Sequence, residues 1–249
     1  MGGVSKMIKG ICKYCSQEKE LINSHIIPKS LCLSDKMGPL VRIDAKSQKL
    51  DHNPIHQNGA KEPLLCKECD NSIGKLDNYA SKVFKQIIPK HKLDLVNGYL
   101  MAKLLPDEVD YWTLKRFFIS LLWRASISSS GARLGKYEDV ALKMLKEELP
   151  DNPNFFVPLI CLMDTKTPLD FSTGLFSHKT SGKHSYTIYF PHYKVIVIPC
   201  TEHSQDPKLM QICQASFNSE HIIVLKLSTP NLTDKQLLDL LKICQDKEL

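Results

Sequence analysis

Apolar and polar positions change rhythm several times along the chain, and each change marks an element. Residues 1–11 read as a short arm feeding a strand. Residues 21–27 form a brief apolar segment that stops at Pro28, which predicts a strand running into a loop. Leu40-Val41-Arg42-Ile43-Asp44 alternates apolar and charged side chains, the period of a half-exposed strand. Residues 45–63 are polar and carry Asn53-Pro54, Asn58-Gly59 and Pro63 as turn signals. A loop of that length in a compact domain is often functional or mobile.

The rhythm then becomes helical. Ile73, Leu76, Ala80, Val83 and Phe84 recur at helical spacing and predict a helix over 71–84. At about 100° per residue, Asp77 falls about 40° from Ile73, on the edge of the inward stripe. A carboxylate there needs a partner or a metal, because charged side chains are rarely buried alone. Lys75 and Lys82 are its nearest candidate partners in sequence. Asp70 and Asn71 read as N-cap groups of this helix.

Residues 93–105 read as a second helix, ending before Pro106. Residues 109–126 carry Tyr111, Trp112, Leu114, Phe117, Phe118, Leu121, Leu122 and Trp123, the composition of a buried helix. A Ser/Gly loop follows over 126–131, then a helix over 137–149 stopped by Pro150. After Pro153 the texture turns to β. Residues 155–163 and 221–227 read as strands, and 186–190 and 193–199 as a hairpin about Pro191-His192. Thr233 would cap a last helix over 234–245. The fold class is therefore α+β, with an N-terminal module over 1–92 and a helical and α+β region over 93–249.

Composition adds little to that picture. Hydrophobic residues at 43% suffice for a core, and 24% charged and 8% aromatic residues are ordinary for a globular protein. No apolar run approaches the roughly 18–20 residues of a membrane helix. Residues 1–10 carry two lysines but no apolar core of a secretory signal. The expected setting is the cytoplasm, with no membrane partner. The net charge of +6 permits a nucleic-acid partner without demanding one.

The cysteines change the picture more. There are nine, and an odd number without a signal argues against a disulfide framework. Cys32, Cys161, Cys200, Cys213 and Cys244 are scattered singly and read as small buried hydrophobes. Cys12/Cys15 and Cys66/Cys69 are two Cys-x-x-Cys pairs. The two-residue gap lets one turn of backbone present two thiolates to a tetrahedral ion, and two pairs close a structural zinc site. Two unrelated pairs, or a redox Cys-x-x-Cys, are the competing readings. Fifty residues separate Cys15 from Cys66, more than a simple zinc ribbon uses, so the pairs bracket something else. What they bracket is Ser24-His25-Ile26-Ile27-Pro28-Lys29.

Cys12-x-x-Cys15, then Ser24-His25-Ile26-Ile27-Pro28-Lys29, then Leu64-Leu65-Cys66-x-x-Cys69 and a helix resembles the HNH endonucleases, over about residues 10–88. The resemblance implies a ββα-metal core with distant structural zinc on the four cysteines. It implies that His25 is the general base that activates water for attack on a phosphodiester. It implies a catalytic Mg²⁺ or Mn²⁺ at the scissile phosphate, with the helix after Cys69 supplying ligands. His25 and Asp77 are the candidate ligands, and Asn58 is the nearest candidate for the family's middle asparagine, with Asn53 another. His52 and His56 lie in the same polar loop. Ser24 stands where many members carry Asp or Glu, and Asp70-Asn71 where they carry His or Asn.

The expected function is hydrolysis of DNA, most naturally double-stranded, in a setting such as bacterial phage defence. Residues 93–249 would set substrate access, oligomerisation or binding of a regulatory partner. Lys29, Lys49, Lys75, Lys82, Lys85, Lys90 and Lys92 flank the site and suit phosphate contacts, although a solvated surface explains each one singly. The alternative is a zinc-stabilised nucleic-acid- or protein-binding module that no longer cleaves, which Ser24 motivates.

Overall fold

The computed structural model describes residues 8–31, 42–43, 50–51, 61–96, 99–129, 133–163, 174–180, 183–190, 192–200, 214 and 216–227. Two sheets and three α-helices, with a further two-strand ladder, make a mixed α+β protein among these residues. The first sheet has the order β1-β2-β5, from β1 (Ile8–Ile11), β2 (Glu18–His25) and β5 (Lys61–Cys66). Both pairings are antiparallel, and a bulge between Ile22 and Asn23 shifts the β2–β5 register. The short β3 (Arg42–Ile43) and β4 (Leu50–Asp51) pair with each other.

β5 runs directly into α1 (Lys67–Lys82). The helix starts earlier than its apolar period suggests, with Cys66 as the N-cap residue. Asp70 and Asn71 are therefore not N-cap groups; Asp70 lies within the first turn, where its charge suits the helix dipole. The inward stripe is as the period predicts: Ile73, Leu76 and Ala80 are buried, and so is Asp77. Past Lys82 the chain widens into a π-turn over Val83–Ile87, where the Ile88 N–H donates to the Val83 carbonyl. Pro89 explains the change, since it has no N–H to continue the α pattern.

Residues 93–105 are not a helix. They form β6 (Asp94–Val96) and β7 (Tyr99–Leu104), antiparallel, with Val96 opposite Tyr99. The two residues between are Asn97-Gly98, the dipeptide that most favours a tight hairpin turn. That local signal outweighs an apolar spacing that fits either period.

α2 (Tyr111–Ile127) is the central element. The Asp110 carboxylate caps it by accepting from the Thr113 N–H at 2.8 Å. Buried residues surround the helix, from Leu114, Phe117 and Phe118 to Leu121, Leu122 and Trp123, as its composition predicts. It packs on α1, on α3 (Glu138–Leu145) and on β8 (Phe155–Met163). α3 is shorter than predicted because Glu147 takes a left-handed conformation (φ 60°) that ends it before Pro150.

The second sheet has the order β6-β7-β12-β8-β11-β10-β9, completed by β9 (Gly174–Thr180), β10 (Lys183–Phe190), β11 (Tyr193–Cys200) and β12 (Ile222–Leu227). β12 pairs parallel to β8; the other pairings in this sheet are antiparallel. One face, with Ile160, Val195, Val197 and Val224, joins the core around α2. The other face, with Val157, Leu159, Cys161, Ile223 and Leu225, forms a second buried cluster. The strands at 155–163, 186–199 and 221–227 are as the sequence predicts; β9 is additional. The predicted helix over 234–245 lies outside the described residues. No helix among those described is long and apolar enough to cross a membrane.

Gly74 sits inside α1, where glycine costs about 1 kcal/mol relative to alanine. A methyl group there meets no atom within 4 Å among the described residues. Gly74→Ala is therefore expected to raise stability by up to about 1 kcal/mol, read as a higher urea midpoint at unchanged slope. A lower midpoint would show that the α1 surface at Gly74 is packed against.

Candidate metal centre and active site

Cys12, Cys15, Cys66 and Cys69 converge. Their ligand atoms all lie within 4.8 Å of one another. A zinc ion with Zn–S bonds of about 2.3 Å sets its sulfurs about 3.8 Å apart, so the cluster fits a tetrahedral ion with small adjustment. The backbone builds the first pair. The Ser16 N–H donates to the Cys12 carbonyl at 2.8 Å and the Cys12 N–H to the Gln17 carbonyl at 2.9 Å, with Ser16 left-handed (φ 59°). The Lys13 N–H donates to the Leu64 carbonyl at 3.0 Å, which fastens this turn to β5. The second pair occupies the start of α1, and the Cys66 N–H points at the Cys12 sulfur, 3.3 Å away.

The thiols do not ionise alike. Burial opposes a charge on Cys12, but the N–H groups of Cys15, Cys66 and Tyr14 outweigh it and bring that thiol down to about 7. Burial pushes Cys66 up. Burial, and then the neighbouring Cys66, Cys15 and Cys12 sulfurs, push Cys69 up much further. Four thiolates in one pocket repel one another, and a divalent cation supplies the charge that lets all four ionise. The four cysteines can thus hold a metal ion such as zinc, in a closed set with no position left for substrate.

Tyr14, inside the first pair, fixes the cluster to the rest of the molecule. Its hydroxyl donates to the Leu145 carbonyl at 3.1 Å, and its ring meets the edge of Trp123 at a centroid distance of 5.9 Å. The knuckle therefore docks on both α2 and α3.

His25 is the last residue of β2, half-buried and opposite Lys61 of β5. Ser24 beside it is fully buried, its hydroxyl 3.4 Å from the Ile22 carbonyl. Asp77 reaches toward the same region from α1. Its two oxygens accept from Arg124 of α2, Oδ1 from Nη2 at 2.7 Å and Oδ2 from Nη1 at 3.0 Å. Burial pushes the Asp77 carboxyl above the usual aspartate range, against the opposing pull of Arg124. Asp70 adds to the rise, and His25 is close enough to counter it weakly. Nη1 of Arg124 also donates to the His25 carbonyl at 2.9 Å. The structure thus brings His25 and Asp77 into one neighbourhood, with a guanidinium between their elements.

Asp77 pairs with neither Lys75 nor Lys82, and the arginine is the residue that sequence reasoning missed. Its signal was present: a charged side chain inside the mostly apolar stretch 117–125, and one of only four arginines in the chain. Glu62 was missed as well. Both its oxygens accept from the Ser129 N–H at 3.0 Å, and one accepts from the Ser129 hydroxyl at 2.6 Å, fixing β5 to the end of α2. Asn58, Asn53, His52 and His56 lie outside the described residues.

Among the described residues, the expected catalytic Mg²⁺ or Mn²⁺ finds no ligand set of its own. Among the described residues, the four cysteines are the one group of three or more ligating side chains gathered closely enough to hold an ion. Asp77, the expected carboxylate, already has both oxygens on Arg124.

Comparison of the chain with protein-family models, with curated proteins and with solved structures finds no match.

The purified chain is expected to carry about one zinc, the load of a closed four-thiolate site. Removing it with a strong chelator should lower the melting temperature, because metal binding contributes directly to folding. Cys66→Ser should do the same without chelator. A metal-free chain that melts as the untreated protein does, with Cys66→Ser melting alongside it, would refute a metal centre.

Proposed function

We propose that this protein is an HNH-type endonuclease that hydrolyses phosphodiester bonds in DNA, with His25 as general base. One observation carries the reading. The cysteine cluster joins the β1–β2 turn to the start of α1 and leaves His25 at the far end of β2, beside a helix that contributes Asp77. Two antiparallel strands passing into a helix, with a histidine closing the first strand, is the arrangement that the sequence resemblance calls for.

In this reading His25 takes a proton from water, the water oxygen bonds to phosphorus, and the bond from phosphorus to the sugar oxygen breaks, that oxygen leaving with the bonding pair and taking a proton from solvent. General-base assistance of this kind contributes typically about 10²–10⁴-fold. Exposed Lys67, Lys75, Lys82 and Lys85, on α1 and the turn after it, suit contacts with flanking phosphates. Mg²⁺ or Mn²⁺ is the cation that the resemblance implies, and it would neutralise charge at the phosphate. Residues 93–249 are proposed to govern access or partner binding, including self-association, and a defence role is the biological setting that the resemblance suggests.

The second reading is a zinc-stabilised binding module without cleavage. It is favoured by Ser24, a buried hydroxyl in place of a carboxylate, and by the lack of a second ligand cluster among the described residues.

Supercoiled plasmid incubated with the full chain and Mg²⁺ or Mn²⁺ distinguishes the two. The nuclease reading expects nicking or linearisation, and about a 10²–10⁴-fold loss in His25→Ala at a nearly unchanged melting temperature. Wild type and His25→Ala that are equally inert but still bind DNA would establish the binding module. A His25→Ala variant that melts several degrees lower would make the histidine structural.

A further inference from the structure

Arg124 belongs to α2, far along the chain from the strand that carries His25. Its side chain is 2% exposed. The guanidinium makes four contacts with three elements. Nε donates to the Ser120 carbonyl one turn back on α2 at 3.3 Å, Nη1 to the His25 carbonyl at 2.9 Å and to Asp77 Oδ2 at 3.0 Å, and Nη2 to Asp77 Oδ1 at 2.7 Å. The bond to Ser120 orients the planar fork on its own helix. The two bonds to Asp77 fix it to α1. The remaining bond falls on the main chain of His25 itself.

We propose that Arg124, held by Asp77, is a positioning residue for His25. The proposal rests on the reading of His25 as the general base. Neutralising a buried Asp77 would need only contacts to the carboxylate. The further bond to the His25 carbonyl has a different effect. β2 ends at this residue and the chain bends immediately afterwards, so the ladder with β5 restrains His25 from one side only. Arg124 restrains it from the side of α2. A general base must be held to within a fraction of an ångström, and a misplacement of about 1 Å can cost on the order of 10²-fold in rate. Asp77 then acts through the arginine, aiming the fork, and not as a ligand of a catalytic cation.

Lysine cannot replace the fork. It keeps the charge and most of the stem, but its single ammonium cannot reproduce the planar set of donors that meets carboxylate and carbonyl together. Arg124→Lys in the full chain is therefore the informative variant, with Arg124→Ala beside it, assayed on plasmid DNA well below each melting midpoint. The expected result for Arg124→Lys is a fall in kcat of about 10²-fold with KM nearly unchanged. In a His25→Ala background the same substitution should remove little further activity. The side-chain ¹⁵N resonances of His25 should also move in Arg124→Lys. A kcat within about twofold of wild type, or an equal loss with and without His25, would overturn the proposal. Unmoved His25 resonances would overturn it too. If the wild-type chain cleaves nothing, the general-base reading fails, and the resonances still decide whether Arg124 holds the histidine.

Discussion

The N-terminal unit depends on the gathering of four thiols at one point. The strands are short, at 4, 8 and 6 residues, and the buried residues of α1 share one cluster with α2, so little of the core belongs to these elements alone. The cysteine cluster closes the two ends of a 50-residue span and seats the N-terminus of α1 against the β1–β2 turn. Two features follow from that closure. β5 must deliver Cys66 directly into the helix, so no loop intervenes between strand and helix. The helix must then run back along the sheet, which sets Ile73, Leu76 and Asp77 against the core and brings Asp77 toward the end of β2.

Much of the fold was legible because its signals were redundant. α2 announces itself by length and dense apolar content, and β8, β10, β11 and β12 by runs of β-branched and aromatic residues between turn signals. Residues 93–105 show how a single signal misleads. Leu93, Val96, Leu100, Ala102 and Leu104 can be read at either period, and only Asn97-Gly98 decides between them. The outcome is the antiparallel pairing of β6 with β7.

The cysteine cluster was legible for a different reason. Ligand spacing is a property of the ion and the local turn, so it survives in sequence without knowledge of the fold. The inward position of Asp77 was legible from helical phase. Its partner was not, because Arg124 lies on a different element and phase says nothing about which element packs opposite. What the sequence offered was a pair of oddities, a carboxylate on one apolar stripe and a guanidinium in another. Buried charges of opposite sign on two adjoining helices are the natural solution to both. Losing one member of such a pair typically costs about 3–5 kcal/mol, since the other is left buried and uncompensated.

That pairing bears on where the N-terminal unit ends. Polar ties across residue 92 include Asp77 and the His25 carbonyl to Arg124, Glu62 to Ser129, Tyr14 to the Leu145 carbonyl, the Asp110 N–H to Tyr79, and Tyr193 to the Phe84 carbonyl. The apolar core crosses it too, since Leu65, Ile73 and Phe84 share one buried cluster with Phe117, Leu121 and Trp123. A chain cut there would keep the four cysteines and His25. It would also expose the apolar stripe of α1, leave Asp77 without its guanidinium and free the end of β2. Metal binding can survive such a cut, because all four ligands lie before it. The placement of His25 cannot, because part of what places it is contributed by α2. The cluster and the histidine therefore make different demands on the fold: the ligands of the first all precede residue 92, whereas the main chain of the second is held both by β5 and by the helix at the centre of the molecule.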